Sequence, residues 1–117
     1  MTPATYNFKD QYAGDTFSGV QFTLTRTTSG TTTAINLTGA TITFRLNFGS
    51  KSGKSIFLMG VGSGITIVNA TSGIFKIDQF SVPAEAGTYF HDIEVKDSTN
   101  FTQTFLSGTM NVVEQVK

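Results

Sequence analysis

One histidine, no cysteine and eight acidic residues bound the chemistry open to this chain of 117 residues. Thiol nucleophiles, redox pairs and cysteine-bound zinc are excluded outright. His91 is followed directly by Asp92, but consecutive residues of a strand point to opposite faces, so Asp92 does not orient the imidazole as a triad acid would. His91 is expected to pack beside Tyr89 or at the rim of a sheet. The segment Gly49-Ser50-Lys51-Ser52-Gly53-Lys54-Ser55 ends in Gly-Lys-Ser like a phosphate-binding loop, yet only three residues separate its glycines. That motif needs four, so that its amides wrap the phosphates, and a helix must follow; a solvated hairpin loop is expected instead. Asp10 with Asp15, and Asp92 and Glu94 with Asp97, are the acidic groupings nearest to a calcium loop. Neither has the alternating spacing that supplies six to eight oxygens, and no pair of acids is singled out for glycoside hydrolysis. The expectation is a non-enzymatic protein with no catalytic residue, no cofactor and no metal.

Lys plus Arg number 8 and Asp plus Glu number 8, and charged residues make up only 14%. This is no footprint for nucleic acid, which calls for a basic surplus. The longest nearly apolar stretch, Ile56 to Val61, is far short of the ~18 residues of a membrane span. The start, Met1-Thr2-Pro3-Ala4-Thr5, has neither a basic n-region nor an apolar h-region, so synthesis in a cytosol is expected. Neither nucleic acid nor membrane is an expected partner. The triplets Asn36-Leu37-Thr38, Asn69-Ala70-Thr71 and Asn100-Phe101-Thr102 match the glycosylation pattern, as chance alone predicts in a chain this rich in Thr.

The elements that would position any site are strands. Period-two alternation recurs throughout, no window keeps a helical stripe, and Thr, Ile, Val, Phe and Tyr fill the runs between Gly and Asn. The runs are Thr5–Asp10, Phe17–Thr27, Thr31–Leu37, Ala40–Phe48, Ser55–Met59, Ile65–Ile67, Ile74–Phe80, Thr88–Val95, Phe101–Leu106 and Thr109–Val116. Thr28-Ser29-Gly30 reverses the chain as a hairpin, Pro83–Gly87 is a helical turn or a loop, and Gly108 is a bulge or break. Short strands at this spacing predict one all-β sandwich or barrel over residues 1–117. Its inward residues are expected to include Phe22, Leu24, Ile42, Phe44, Leu46, Ile65, Ile67, Phe75, Ile77, Tyr89, Ile93 and Val112.

Two features do not fit a simple half-buried sheet. Ile56, Phe57, Leu58 and Met59 are consecutively apolar, which requires a strand sealed on both faces or a face that another molecule covers. With Val61 they form the candidate interface. The second feature is the aromatic load, 11 Phe and 3 Tyr. Phe57, Phe90, Phe101 and Phe105 fall out of step with neighbouring apolar positions and are candidates for contact with a partner or, alternatively, with sugar rings.

Three segments carry a family resemblance: Asn36-Leu37-Thr38-Gly39-Ala40-Thr41-Ile42-Thr43-Phe44; Gly64-Ile65-Thr66-Ile67 through Gly73-Ile74-Phe75-Lys76-Ile77; and Gly87-Thr88-Tyr89-Phe90-His91-Asp92-Ile93-Glu94-Val95. With Gly14-Asp15-Thr16-Phe17, the pattern from about Tyr6 to Val113 resembles the immunoglobulin-like β-sandwich modules of tailed-bacteriophage virions, typified by the N-terminal domain of baseplate upper proteins. The resemblance implies a single antiparallel immunoglobulin-like β-sandwich of about eight or nine strands. It further implies a structural part of a virion head, neck, tail or baseplate, made in the host cytoplasm. The implied partners are a larger virion protein or copies of the chain itself. A carbohydrate-binding or adhesion module is the alternative. Tyr89, just after Gly87-Thr88, is expected to form a tyrosine corner, its hydroxyl bonding a nearby backbone group.

Overall fold

Alternation in sequence becomes alternating burial most cleanly in two strands. Along Thr41–Phe48 the side chains of Ile42, Phe44 and Leu46 are wholly buried, and along Gly87–Lys96 those of Tyr89, His91, Ile93 and Val95 turn inward while their neighbours turn out. The computed structural model describes residues 4–50 and 53–114. They form thirteen short strands: β1 Ala4–Thr5, β2 Gln11–Tyr12, β3 Thr16–Phe17, β4 Val20–Thr23, β5 Thr25–Thr28, β6 Thr31–Ala34, β7 Thr41–Phe48, β8 Lys54–Val61, β9 Gly64–Asn69, β10 Ile74–Ile77, β11 Phe80–Ser81, β12 Gly87–Lys96 and β13 Thr102–Val113. The described residues contain no helix. The first residues of the chain, part of the Gly49–Ser55 loop and the end of the last expected run lie outside them.

The chain is all-β, but its main sheet is mixed rather than purely antiparallel. Its order is β1-β13-β12-β7-β8-β9-β10-β4, with β2 also on β13, while β3–β11 and β5–β6 pair separately. β1 and β2 run parallel to β13, and β8 runs parallel to β9. The second departure has a local cause. Gly62 and Gly64 adopt positive φ (84° and 99°), a conformation that only glycine takes without strain. The chain therefore coils once, Gly60 and Ser63 exchanging backbone hydrogen bonds of 3.1 and 2.8 Å, and leaves in the direction it came instead of folding back as a hairpin.

Other expected runs are cut or joined. Phe17–Thr27 is divided among β3, β4 and β5, because Gly19 turns at φ 96° against the Ile77 carbonyl and Leu24 drops into the core. The last two expected runs are one strand that passes straight through Gly108. The bulge lies elsewhere, at Phe105, where the pairing of β12 with β13 shifts between Ile93 and Glu94. Of the expected turn Pro83–Gly87, residues 83–86 are an open loop and Gly87 already begins β12. The β5–β6 reversal is a two-residue turn with Ser29 and Gly30 both at positive φ (51° and 79°), as a type I′ hairpin requires.

Of the expected inward residues, Phe22 and Ile67 are half-buried against the core and the rest are buried. Leu37 is also wholly buried although it belongs to no strand; its N–H donates to Ala70 at 2.8 Å and its carbonyl accepts from Ala40. The tyrosine corner forms as expected: the buried Tyr89 hydroxyl donates to the Glu85 carbonyl at 2.6 Å. Tyr89→Phe should lower the unfolding free energy by about 1 kcal/mol, the usual worth of one such bond, read as a shift in denaturant midpoint at constant slope. Gly108 faces a tighter constraint, since a Cβ there would lie 2.0 Å from the Tyr6 carbonyl oxygen. Gly108→Ala should destabilise by roughly 1–3 kcal/mol, as overpacking does, and expose the segment around Tyr6 to hydrogen exchange.

Candidate interaction surface

The apolar run Ile56–Met59 is accommodated by a second bulge. Leu46 pairs with Phe57 but Asn47 pairs with Ser55, which leaves Ile56 as an extra residue on β8. An extra residue breaks the period of two, so Ile56 and Phe57 both rest half-buried against the core, as does Met59. Leu58 alone of the four points outward, 67% exposed, and Val61 at the strand end is 46% exposed. The candidate interface thus narrows to Leu58 and Val61, backed by Ile56, Phe57 and Met59. Phe57 is anchored edge-on to Phe80, ring centroids 5.2 Å apart.

The same stretch is a sheet edge. β9 meets β8 only at Gly60 and Val61, so among the described residues Ser55–Met59 has β7 on one side and no ladder partner on the other. Such an edge presents backbone donors and acceptors to any extended chain that approaches. Leu58 also opens a row that crosses the outer face of the sheet, through its register partners Arg45 on β7, Asp92 on β12 and Ser107 on β13. Arg45 lies 4.0 Å from Asp92 and 3.7 Å from Glu94. Arg45 and Asp92, with Asn47, Phe90, His91, Thr104 and Ser107, line a shallow cavity of about 250 Å³. This mixture of one exposed leucine, a half-buried aromatic and an ionic centre is the composition of a non-obligate protein contact. The alternation of β7 and β12 could have revealed the row; their relative register could not be read.

The other out-of-step aromatics separate. Phe90 is half-buried on the outer face and Phe101 is 61% exposed, whereas Phe105 is buried at 7% exposure. Phe105 is therefore core and not a contact residue, because the bulge turns it and Leu106 inward together. The acidic groupings stay apart from one another: Asp92 and Glu94 face Arg45, and Asp97 folds the turn before β13. Among the described residues no three His, Asp or Glu side chains converge as a metal site.

His91 is not at the rim: it turns inward on the same face of β12 as Tyr89. It is 4% exposed and packed among the rings of Tyr6, Phe8 and Phe44, centroids 6.5, 4.8 and 5.8 Å away. Its Nε2–H donates to the Tyr6 carbonyl at 2.6 Å, which assigns the proton to Nε2 since a carbonyl only accepts; Nδ1 is buried without a partner among the described residues. Burial holds the pKa of His91 below the ordinary imidazole value, against the opposing pull of the Tyr6 carbonyl and Asp92. With its Nε2 donor engaged by the backbone, the ring serves as a structural hydrogen-bond donor.

No family model matches the chain, and no curated protein matches it. Among solved structures it is similar to a family 123 glycoside hydrolase from Clostridium perfringens, described in a structural analysis of glycolipid glycan hydrolysis. The identity is 16% and the TM-score 0.39, over 97% of this chain and 23% of the hydrolase. The chain spans less than a quarter of that enzyme.

The neutral state of His91 makes stability depend on pH with a definite sign. Its folded pKa lies below the unfolded value of about 6.5, so the unfolded chain binds the proton first as pH falls. Stability from this group is complete above pH ~6.5 and declines below it, down through the folded pKa. His91→Gln, which keeps a donor for Tyr6 but does not titrate, should flatten that limb of a stability-versus-pH curve measured by chemical denaturation.

Proposed function

We propose that this chain is a non-catalytic, immunoglobulin-like interaction module of a tailed-phage virion, held in place by protein–protein contacts through the β8 edge and the adjoining sheet face. The resemblance of the segments around Leu37–Phe44, Gly64–Ile77 and Gly87–Val95 supports it. So does the pairing order. β4, β10 and β9 follow one another as strands B, E and D do in an immunoglobulin sandwich, β7, β12 and β13 as C, F and G, and a tyrosine corner opens β12. On this reading the parallel two-residue bridge of β8 and β9 is the place where the chain passes from one sheet to the other.

The observation that carries the functional part is the stretch Ser55–Met59, paired with β7 on one side and open on the other among the described residues, with Leu58 exposed upon it. Isolated hydrophobes are ordinary on a surface, but one centred on an open strand edge, beside an ionic row, offers both main-chain and side-chain recognition. The partner is a larger head, neck, tail or baseplate protein, or further copies of this chain. Mass spectrometry of purified particles of the phage that encodes the chain should find it at several copies per virion, and its absence from particles ends the proposal. Leu58→Asp should leave unfolding within ~0.5 kcal/mol of the parent, as surface changes do, yet lower occupancy on particles. Phe57→Ser, by contrast, should destabilise the isolated protein by roughly 2–4 kcal/mol, because it empties a place in the core.

A further inference from the structure

We propose that the cleft between the β5–β6 hairpin and the turn joining β12 to β13 binds one unit of a neutral saccharide. The inference does not rest on the virion reading. The cleft encloses about 220 Å³, enough for a single pyranose ring, between Arg26, Asn36, Asp97, Phe101, Gln103 and Phe105 among its lining residues. Phe101 is 61% exposed and its backbone closes a hydrogen-bonded turn. The Asp97 Oδ1 accepts from the Thr99 N–H at 2.9 Å, the Thr99 hydroxyl at 2.6 Å and the Phe101 N–H at 3.0 Å. Asp97 N–H closes the turn on the Phe101 carbonyl at 2.9 Å, and Asn100 takes the left-handed conformation, φ 68°. These bonds fix the backbone that carries Phe101, so less chain freedom remains to be lost on binding.

The polar groups around it suit hydroxyls, each of which must both donate and accept. Arg26 donates to the Gln103 side chain at 3.2 Å, which engages one of five guanidinium donors. All three bonds to Asp97 use Oδ1, which leaves Oδ2 as an acceptor among the described residues, and those bonds keep the carboxyl ionised by lowering its pKa. Asn36 is fixed by the Thr38 N–H at 2.9 Å. Charged donors and acceptors form the stronger hydrogen bonds with hydroxyls, while the C–H face of a pyranose lies on an exposed aromatic ring. One cation and one anion cancel across the cleft, so a phosphate or carboxylate ligand gains no net attraction.

The test is an array of neutral and acidic glycans, followed by titration of the isotope-labelled protein with the neutral oligosaccharide retained best and, separately, with inorganic phosphate. Amide shifts should concentrate in residues 97–103 and 33–36 with the neutral glycan. Phe101→Ala should weaken binding roughly tenfold or more, the scale of losing an aromatic anchor, with melting unchanged, and Phe101→Tyr should retain it. Retention of no neutral glycan, shifts elsewhere on the surface, binding indifferent to Phe101→Ala, or tighter binding of phosphate each overturns the proposal. Particle assembly plays no part in this readout, so failure here and failure of the virion reading are separate results.

Discussion

The hydrogen bond from His91 to the Tyr6 carbonyl is the point through which the rest of the structure is registered. That carbonyl occupies the space a side chain would take at Gly108, the register partner of His91 across β12 and β13. Three separate stretches of sequence therefore meet at one oxygen. Tyr6 N–H donates to Ser107 and Phe8 N–H to Thr109, both at 2.9 Å, and Thr109 N–H in turn donates to the Asn7 side chain. These bonds lay the first segment parallel to the last strand. A parallel pairing between chain ends brings no local turn to set its register, so the register comes from the glycine that admits the carbonyl and the histidine that holds it.

Around that point the core is largely aromatic. Phe22 meets Tyr6, Tyr6 meets Phe8, Phe8 meets Phe17 and Phe44, and Phe17 meets Phe80, with centroids 4.8–6.1 Å apart. Rings of this size fill the space between curled parts of one sheet with few residues, and edge-to-face contacts add to their area burial. The sheet can curl because its interruptions fall at specified places: bulges at Ile56, Val68 and Phe105, and a one-turn coil at Gly60–Gly64. Each alters the face a strand presents, and the β8 bulge is what turns three of four consecutive hydrophobes inward.

The legible part of the fold was that written in period two. Ile42, Phe44, Leu46, Phe75, Ile77, Tyr89 and Ile93 are buried as their alternation requires, and the turn chemistry at Ser29-Gly30 and the Tyr89 corner followed from local residue types. What alternation could not carry was pairing between distant segments. Phe105 was out of step because of a bulge defined only against β12, Leu37 is buried from a loop with no period, and the parallel pairing of β1 with β13 joins distant segments where the Tyr6 carbonyl meets Gly108. Of the candidate interface, the apolar run was visible as a run, whereas the single outward leucine depended on the register of β8 against Asn47. The Phe101 cleft joins the β5–β6 hairpin to the β12–β13 turn, more than sixty residues on, and no local pattern announces such a meeting.

The scarcity of charge shapes how such a molecule can recognise anything. With charged residues at 14% and a formal net charge of zero, long-range steering of a partner is weak. Threonine covers much of the strand surface instead, because its branched side chain suits an extended backbone and its hydroxyl satisfies water. Five of the sixteen charged residues stand at the two candidate sites as opposed sets, Arg45 with Asp92 and Glu94, and Arg26 with Asp97. Opposed charges fix the orientation of side chains and of whatever docks against them more than they accelerate encounter. The recognition proposed for this surface would therefore rest on short-range fit, through hydrogen bonds to hydroxyls and backbone and through a few apolar groups, and would persist in salt concentrations that screen long-range attraction.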